Sequence, residues 1–171
     1  YTSAIDSKAL TTTLKGKSVS INPTQASPST FMTYDIAALQ YLYGANTSAT
    51  STDSKLSSIQ KLDFTDAYKG MQTIWTPNGG TLDASNTTNK NIIDLRGGAY
   101  SSINFLGTGA SQVTRTLNAG GIASSTDVSS ILKSFNSIIT AAYTGNNNVA
   151  LAYGSKITQA NGGKGDDAFY A

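Results

Sequence analysis

The first pattern in the chain is a run of apolar positions at helical spacing over residues 31–43. Apolar residues recur three or four positions apart, at Met32, Ile36, Leu39 and Tyr43. Thr30 is predicted to be the N-cap of this segment, and Gly44 is predicted to be its left-handed C-cap. The spacing predicts a helix of about three turns. Further apolar side chains on its other faces predict that it is buried on most sides.

A second run at the same period covers residues 126–143. Its apolar positions follow one helical face without a miss, at Val128, Ile131, Leu132, Phe135, Ile138, Ile139 and Ala142. Asp127 lies in the first turn, where it favours the helix dipole, and Gly145 follows the end. This pattern predicts an amphipathic helix with Ile131, Phe135 and Ile138 at the centre of its buried face.

The other segments alternate short strand-like stretches with turn signals. The strand-like stretches are residues 61–64, 71–75, 81–84, 91–95, 102–106, 149–153 and 156–160. The turn signals include 77–80 and Gly97-Gly98, and a spacing of about ten residues is typical of a meander or a sandwich. Residues 1–29 contain Pro23 and Pro28 and are predicted to be irregular.

Composition excludes several classes of function. The net charge is +2 and the 12 Lys and Arg residues are scattered, which argues against nucleic acid as a partner. No apolar run reaches the roughly 18 residues of a membrane span. The chain has no Cys and no His, so it holds neither a cysteine nucleophile nor a Ser-His-Asp triad nor a histidine-ligated zinc site. Because the chain begins with Tyr1 rather than Met, we expect that a segment was removed from its front.

The glycine-rich tail carries the clearest chemical motif. Residues 162–170 read Gly-Gly-Lys-Gly-Asp-Asp-Ala-Phe-Tyr and fit the pattern G-G-x-G-x-D-x-U-x. Glycines allow a tight turn with inward carbonyls, and a carboxylate adds a hard anionic oxygen, which suits Ca²⁺. The predicted calcium ligands are Gly162, Gly163, Lys164, Gly165 and Asp167. One repeat alone forms only part of a site, and the simpler alternative is a glycine-rich turn with two solvated aspartates.

Several segments resemble the serralysin-type secreted zinc metalloproteases, over about residues 30–104 and 146–171. The tyrosine-rich stretch 31–46 is similar to the end of that family's catalytic domain, and 148–167 is similar to the entry into its calcium-binding β-roll. Weaker likenesses lie in 74–85 and 92–103. The chain departs from the family's pattern at Thr50–Asp53 and at Trp75-Thr76.

The resemblance implies a fold, a division into domains and an activity. The fold class is mixed and mainly β, with short antiparallel strands leading into a parallel β-roll turn and two amphipathic helices. Residues 1–46 would end a metzincin-like catalytic domain, 47–160 would form a β-rich domain with a helical insertion at about 107–145, and 161–171 would be the first RTX repeat. The intact parent would be a secreted, extracellular enzyme that hydrolyses protein or peptide substrates.

The resemblance also implies metals and partners. Zn²⁺ would be held in a catalytic domain missing from this chain, with Tyr1 as a possible zinc ligand. Ca²⁺ would occupy the partial site in the tail, with Asp53 as a second possible calcium ligand. The expected partner is the upstream catalytic domain or a complementary chain.

Two other classes of function stay open on the sequence. One is a non-enzymatic, type I-secreted calcium-binding surface or adhesin module that keeps the scaffold without an active site. The other is a carbohydrate-binding β-sandwich with an exposed aromatic strip. A sugar-hydrolysing acid/base pair of Asp63 with Asp66, or of Asp83 with Asp94, is a weaker alternative.

Overall fold

Strands and short helices make up most of the described chain, so the predicted mixed, mainly β fold class is confirmed. The computed structural model describes residues 10–14, 17–21, 28–47, 61–65, 70–105, 107–119, 124–134 and 144–171. The helices are α1 (Thr33–Tyr43), α2 (Gly109–Ala119) and α3 (Ser125–Ser134). The strands are β1 (Leu10–Leu14), β2 (Lys17–Ile21), β3 (Lys61–Thr65), β4 (Gln72–Ile74), β5 (Thr81–Asn86), β6 (Lys90–Asp94), β7 (Tyr100–Phe105), β8 (Val149–Leu151), β9 (Gln159–Asn161) and β10 (Ala168–Tyr170).

The contacts group the chain into two compact units. The first combines Tyr1–Ala26 with Leu106–Thr144, and the second combines Ser27–Phe105 with Gly145–Ala171. The predicted insertion at 107–145 falls almost entirely in the first unit. The predicted domain bounds at 46 and 160 stay a prediction.

Two sheets build the second unit. One has the order β3-β5-β9 with both pairs parallel, and the other has the order β10-β6-β7-β8-β4. In the larger sheet β10–β6 and β8–β4 are parallel, and β7 runs antiparallel to both of its neighbours. The predicted antiparallel pairing therefore holds for β7 alone in this unit. The physical reason is that the turn 87–89 carries the chain from one sheet to the other instead of folding β6 back on β5.

The hydrophobic core of this unit follows from the alternation of its strands. It consists of Phe64, Ile74, Leu82, Ala84, Ile93, Ile103, Val149 and Leu151. In β5, Leu82 and Ala84 point into the core while Asp83 lies on the opposite face, as a period of two requires. Burial of each large aliphatic side chain contributes about 1.5–3 kcal/mol. The core thus holds the strands whose turns form the site described below.

Helix α1 differs from its prediction in two ways. Thr33 is the one buried residue in this helix, whereas Tyr41 is 89% exposed and Leu42 is 67% exposed. The expectation of burial on most sides is therefore wrong, because apolar residues surround the helix while only the side with Thr33, Ile36 and Gln40 is buried or partly buried. Gly44 ends the helix at the predicted place with a positive φ of 81°, but its ψ of 158° lies outside the left-handed helical region that was predicted.

Thr30 is not the N-cap of α1. Its Oγ1 instead accepts a hydrogen bond of 2.8 Å from the backbone N–H of Thr73 and so ties the chain to β4. The helix begins after Met32, whose backbone N–H donates to Asp35 Oδ2 at 3.0 Å. A carboxylate in the first turn therefore satisfies a donor at the start of the helix.

The first unit contains an antiparallel hairpin and two helices among its described residues. β1 and β2 pair from Leu10↔Ile21 to Leu14↔Lys17, so the prediction of an irregular segment over 1–29 is wrong there. The β-branched threonines of β1 suit a strand, and both prolines come after the hairpin. Helix α2 was not predicted, although Val113 and Leu117 are buried one turn apart.

Helix α3 begins where the second periodic pattern predicted a helix. Val128 and Ile131 are buried, and Ile131 is only 1% exposed, which confirms the predicted buried face for this part. Residues 135–143, with Phe135 and Ile138, lie outside the described residues, and the prediction for them stays a prediction.

Candidate functional site

The glycine-rich turn lies between β9 and β10 and is stacked on the turn between β5 and β6. β9 pairs with β5 in parallel, with Ala160 opposite Leu82, and β10 pairs with β6 in parallel, with Phe169 opposite Ile93. We call residues 159–170 the last coil and residues 81–94 the lower coil. Each is a strand, a turn and a strand. The two coils are distant in sequence and adjacent in space.

The glycines of the last coil are required because the two turns approach closely. A Cβ atom on Gly163 would lie 2.6 Å from the carbonyl oxygen of Thr87, and one on Gly165 would lie 2.6 Å from the carbonyl carbon of Asn89. The backbone N–H of Lys164 donates to the carbonyl of Thr87 at 2.9 Å. The glycine pattern therefore serves backbone-to-backbone contact between the turns.

Asp167 closes the turn with both oxygens of its carboxylate. Oδ2 accepts a hydrogen bond of 2.6 Å from the backbone N–H of Gly163. Oδ1 accepts bonds from the backbone N–H of Asn91 at 2.9 Å and from its side-chain Nδ2 at 2.7 Å. A carboxylate bonded to several N–H donors is among the stronger hydrogen-bonding arrangements in proteins. Asp167 thereby joins its own turn to the lower coil.

Asn91 is the buried partner of this carboxylate. Its side chain is fully buried, and its Oδ1 accepts a bond of 2.8 Å from the backbone N–H of Asn104 on β7. Its Nδ2 also donates to Thr87 Oγ1 at 2.9 Å. Because the carbonyl end of the amide is directed to a donor on β7, its NH₂ end must face Asp167. One side chain thus joins β6, β7, the lower turn and the last turn.

A calcium ion does not fit at Asp167 in this arrangement. Calcium takes six to eight oxygen ligands, whereas the carboxylate here faces three N–H donors. The Asn91 NH₂ group presents positive hydrogens to the oxygen a cation would need. Within the described ranges, no three His, Cys, Asp or Glu residues are grouped so that they could hold a metal ion. The carbonyls of Gly162, Gly163, Lys164 and Gly165 stay predicted ligands that these contacts leave untested.

The structure describes only some of the remaining predicted site residues. Tyr1, Asp53 and Asp66 lie outside the described residues, so the possible zinc ligand and the second calcium ligand stay predictions. Asp63 stands in register with Asp83 on adjacent parallel strands, which pairs it differently from either proposed acid/base pair. The sequence could not predict this neighbour, because it depends on the pairing of β3 with β5.

Asp94 forms an ion pair with Arg96. Its Oδ1 accepts a bond of 2.9 Å from Arg96 Nε, and its Oδ2 lies 2.6 Å from Arg96 Nη2. The side-chain hydrogen bonds from Arg96 lower the pKa of the Asp94 carboxyl below its usual value, against a smaller opposing effect of burial. The carboxyl is therefore held in its ionised form and is unsuited to act as a general acid.

A second feature of this unit is an apolar groove beside α1. The groove has a volume of about 640 Å³, and its apolar lining includes Phe31, Ile36, Leu39, Tyr43 and Trp75. The Trp75 indole N–H donates to the carbonyl of Asn46 at 2.8 Å, which fixes the ring at one wall. The exposed face of α1 and this groove form one continuous candidate contact surface, which we call the α1 surface.

Sequence reasoning missed the lower turn. Thr87 lies in a polar run between two predicted strands, whereas Asn91 and Asn104 lie in stretches predicted as strands, where no local pattern marks them as members of a hydrogen-bond network. The available signal was that both segments carry a polar turn between two strand-like stretches. Only the parallel register shows that these two segments are stacked.

Comparisons of this chain with known protein families, with curated proteins and with solved structures find no match. None of the helices in the described part of the chain has both the length and the apolar content needed to cross a membrane.

Proposed function

We propose that this chain is the C-terminal part of a secreted, serralysin-type zinc metalloendopeptidase. The observation that carries the proposal is the last coil, a strand, glycine-rich turn and strand stacked in parallel on an earlier coil. This is the arrangement expected where the resemblance places the entry into a β-roll. In the same proposal the chain also provides the helix on which the preceding catalytic domain packs.

The α1 surface supports the docking of a preceding domain. Tyr34, Tyr41 and Leu42 are all at least two-thirds exposed, which is unusual for large apolar side chains on one short helix. A preceding protein domain with an apolar face would bury these exposed side chains together with the apolar groove beside them.

Catalysis in this proposal belongs to the preceding domain. The chain has no His and no Cys, so it lacks the usual nitrogen and thiolate ligands of zinc. Zinc bound in the intact protein would supply an activated water for hydrolysis of the peptide bond. The residues of this chain would hold the catalytic domain at α1 and begin the roll at the last coil.

A non-enzymatic surface module is the second candidate. It is favoured by the same stacked coils and by the absence of histidine from this sequence. The two candidates differ in what precedes Tyr1 in the parent protein. A helix with a His-Glu-x-x-His motif supports the peptidase, and a parent without that motif supports the surface module.

The experiment compares the same substitution in the isolated chain and in the full-length parent. Tyr41→Ser removes a side chain that is 89% exposed in this chain, so the melting temperature of the isolated chain should not change. In the parent the substitution should lower the melting temperature, because Tyr41 is then buried by the catalytic domain. Tyr153→Ser is the matched control, since Tyr153 covers Gly98 within this chain and its loss should destabilise both proteins equally.

Activity gives the second readout. The parent should hydrolyse casein, lose this activity with a zinc chelator and regain it with zinc. A parent that does not hydrolyse casein contradicts the proposal. A Tyr41→Ser substitution that changes the melting temperature of the parent no more than that of the isolated chain also contradicts it.

A further inference from the structure

The contacts at Asp167 differ from those that a calcium-bound turn requires. In a calcium site the carboxylate faces a cation shared with other oxygen atoms. Here three N–H groups occupy the positions around the carboxylate, two of them from Asn91. The last coil is closed in this structure by hydrogen bonds from the protein itself.

We infer that Asn91 takes the place of calcium in closing the last coil, so that this coil folds without a metal ion. Asn91 is fully buried and has both ends of its amide engaged, with Oδ1 on Asn104 and Nδ2 on Asp167 and Thr87. The amide cannot turn over without placing its oxygen against the Asp167 carboxylate. This inference does not depend on the catalytic proposal, because it concerns only contacts within this chain.

Asn91 is also the residue whose replacement should create a need for calcium. Asn91→Asp would place a carboxylate oxygen where Asn91 Nδ2 now lies, 2.7 Å from Oδ1 of the Asp167 carboxylate. Like charges at this distance repel strongly and raise the free energy of the closed turn. Calcium accepts several carboxylate oxygens at once, so the ion should restore the closed turn in this variant.

The first measurement is amide hydrogen exchange of the unmodified chain, with a calcium chelator and then with millimolar calcium. The N–H groups of Gly163 and Asn91 donate to Asp167 and should be protected in the chelator. Their protection should be at least about tenfold over the exposed-peptide rate and should not rise with calcium. Protection that appears only with calcium overturns the inference.

The second measurement is the melting temperature of variants under the same two conditions. Asn91→Asp should melt lower than the unmodified chain in chelator and should be raised by calcium. Asp167→Asn should melt lower and should not respond to calcium, because the carboxylate is gone. Asn86→Asp is the matched control, since it adds the same charge to an exposed residue at the end of β5.

Each outcome of the two measurements supports or overturns the inference, and a destabilised Asn91→Asp variant that calcium does not restore overturns it. A calcium response of Asn91→Asp that Asn86→Asp lacks supports the inference. Equal behaviour of Asn91→Asp and Asn86→Asp overturns it, because Asn91 would then not hold the carboxylate. If Asn91→Asp does not fold at all, the exchange measurement on the unmodified chain decides the question alone.

Discussion

Gly163→Ala tests the close contact between the two stacked turns. A Cβ at this position would lie 2.6 Å from the Thr87 carbonyl oxygen, inside the 3.0 Å that real Cβ atoms respect, and would also meet Thr87 Oγ1 and Asn91 Nδ2. The backbone of Gly163 is not in the left-handed region, so alanine is allowed conformationally and the cost is steric. The Thr87 carbonyl belongs to the backbone, so it cannot move aside without distorting the lower turn.

The expected loss of unfolding free energy is about 1–3 kcal/mol, as for other overpacked sites. If the added methyl group pushes the turns apart, the hydrogen bond from the Lys164 N–H to the Thr87 carbonyl also weakens, and this loss is included in the range. With a urea dependence of about 2 kcal/mol per molar, the denaturation midpoint should fall by about 0.5–1.5 M.

The assay is urea unfolding followed by tryptophan fluorescence. Trp75 is the single tryptophan of the chain and is buried in the second unit, so it reports on the unit that contains the turns. Lys164→Ala is the control, because it changes an exposed side chain of the same turn and keeps the backbone N–H. If Gly163→Ala stays within about 0.5 kcal/mol of the unmodified chain, the turns are not in contact and the stacked arrangement is refuted.

Three further predictions concern other parts of the chain. Arg96→Ala should lower the free energy of unfolding at neutral pH, because it removes the ion pair with Asp94. The difference from the unmodified chain should shrink as the pH falls through the lowered pKa of Asp94, since the ion pair exists only while Asp94 is ionised. Unfolding measured at several pH values tests this. Ile131→Ala should cost about 2–5 kcal/mol in chemical denaturation, since Ile131 is buried in α3, whereas the exposed Ser130→Ala should cost little. The isolated chain should not hydrolyse casein with or without zinc, because it has no His or Cys; zinc-restored hydrolysis by the pure chain would contradict this.

The sequence predicted where strands lie better than how they pair. Alternation and turn residues mark the position of β5 and β6 locally, because side-chain direction repeats every two residues. The pairing of Leu82 with Ala160 depends on contacts between segments far apart in the chain, which no local pattern contains. The same limit concealed Asn91, whose partners lie on β7 and on the last coil.

Helix α1 shows a different limit of sequence reasoning. Its apolar composition predicted burial, and burial requires a partner surface as well as an apolar helix. Tyr41 and Leu42 have no such cover within the described part of this chain. The glycine motif shows another limit. Its residue types predicted a tight turn correctly, but only the contacts of Asp167 identify Asn91 as the group that closes the turn.

The most direct test of the stacked coils is a set of nuclear Overhauser contacts measured on the isotopically labelled chain in a calcium chelator. The account predicts backbone cross-peaks between Ile93 and Phe169 and between Leu82 and Ala160, the register partners of the two coils. It also predicts a cross-peak from the Asn91 side-chain amide to the β-protons of Asp167. Sequential contacts alone within 159–170, or cross-peaks to 81–94 that appear only after calcium is added, would contradict the account.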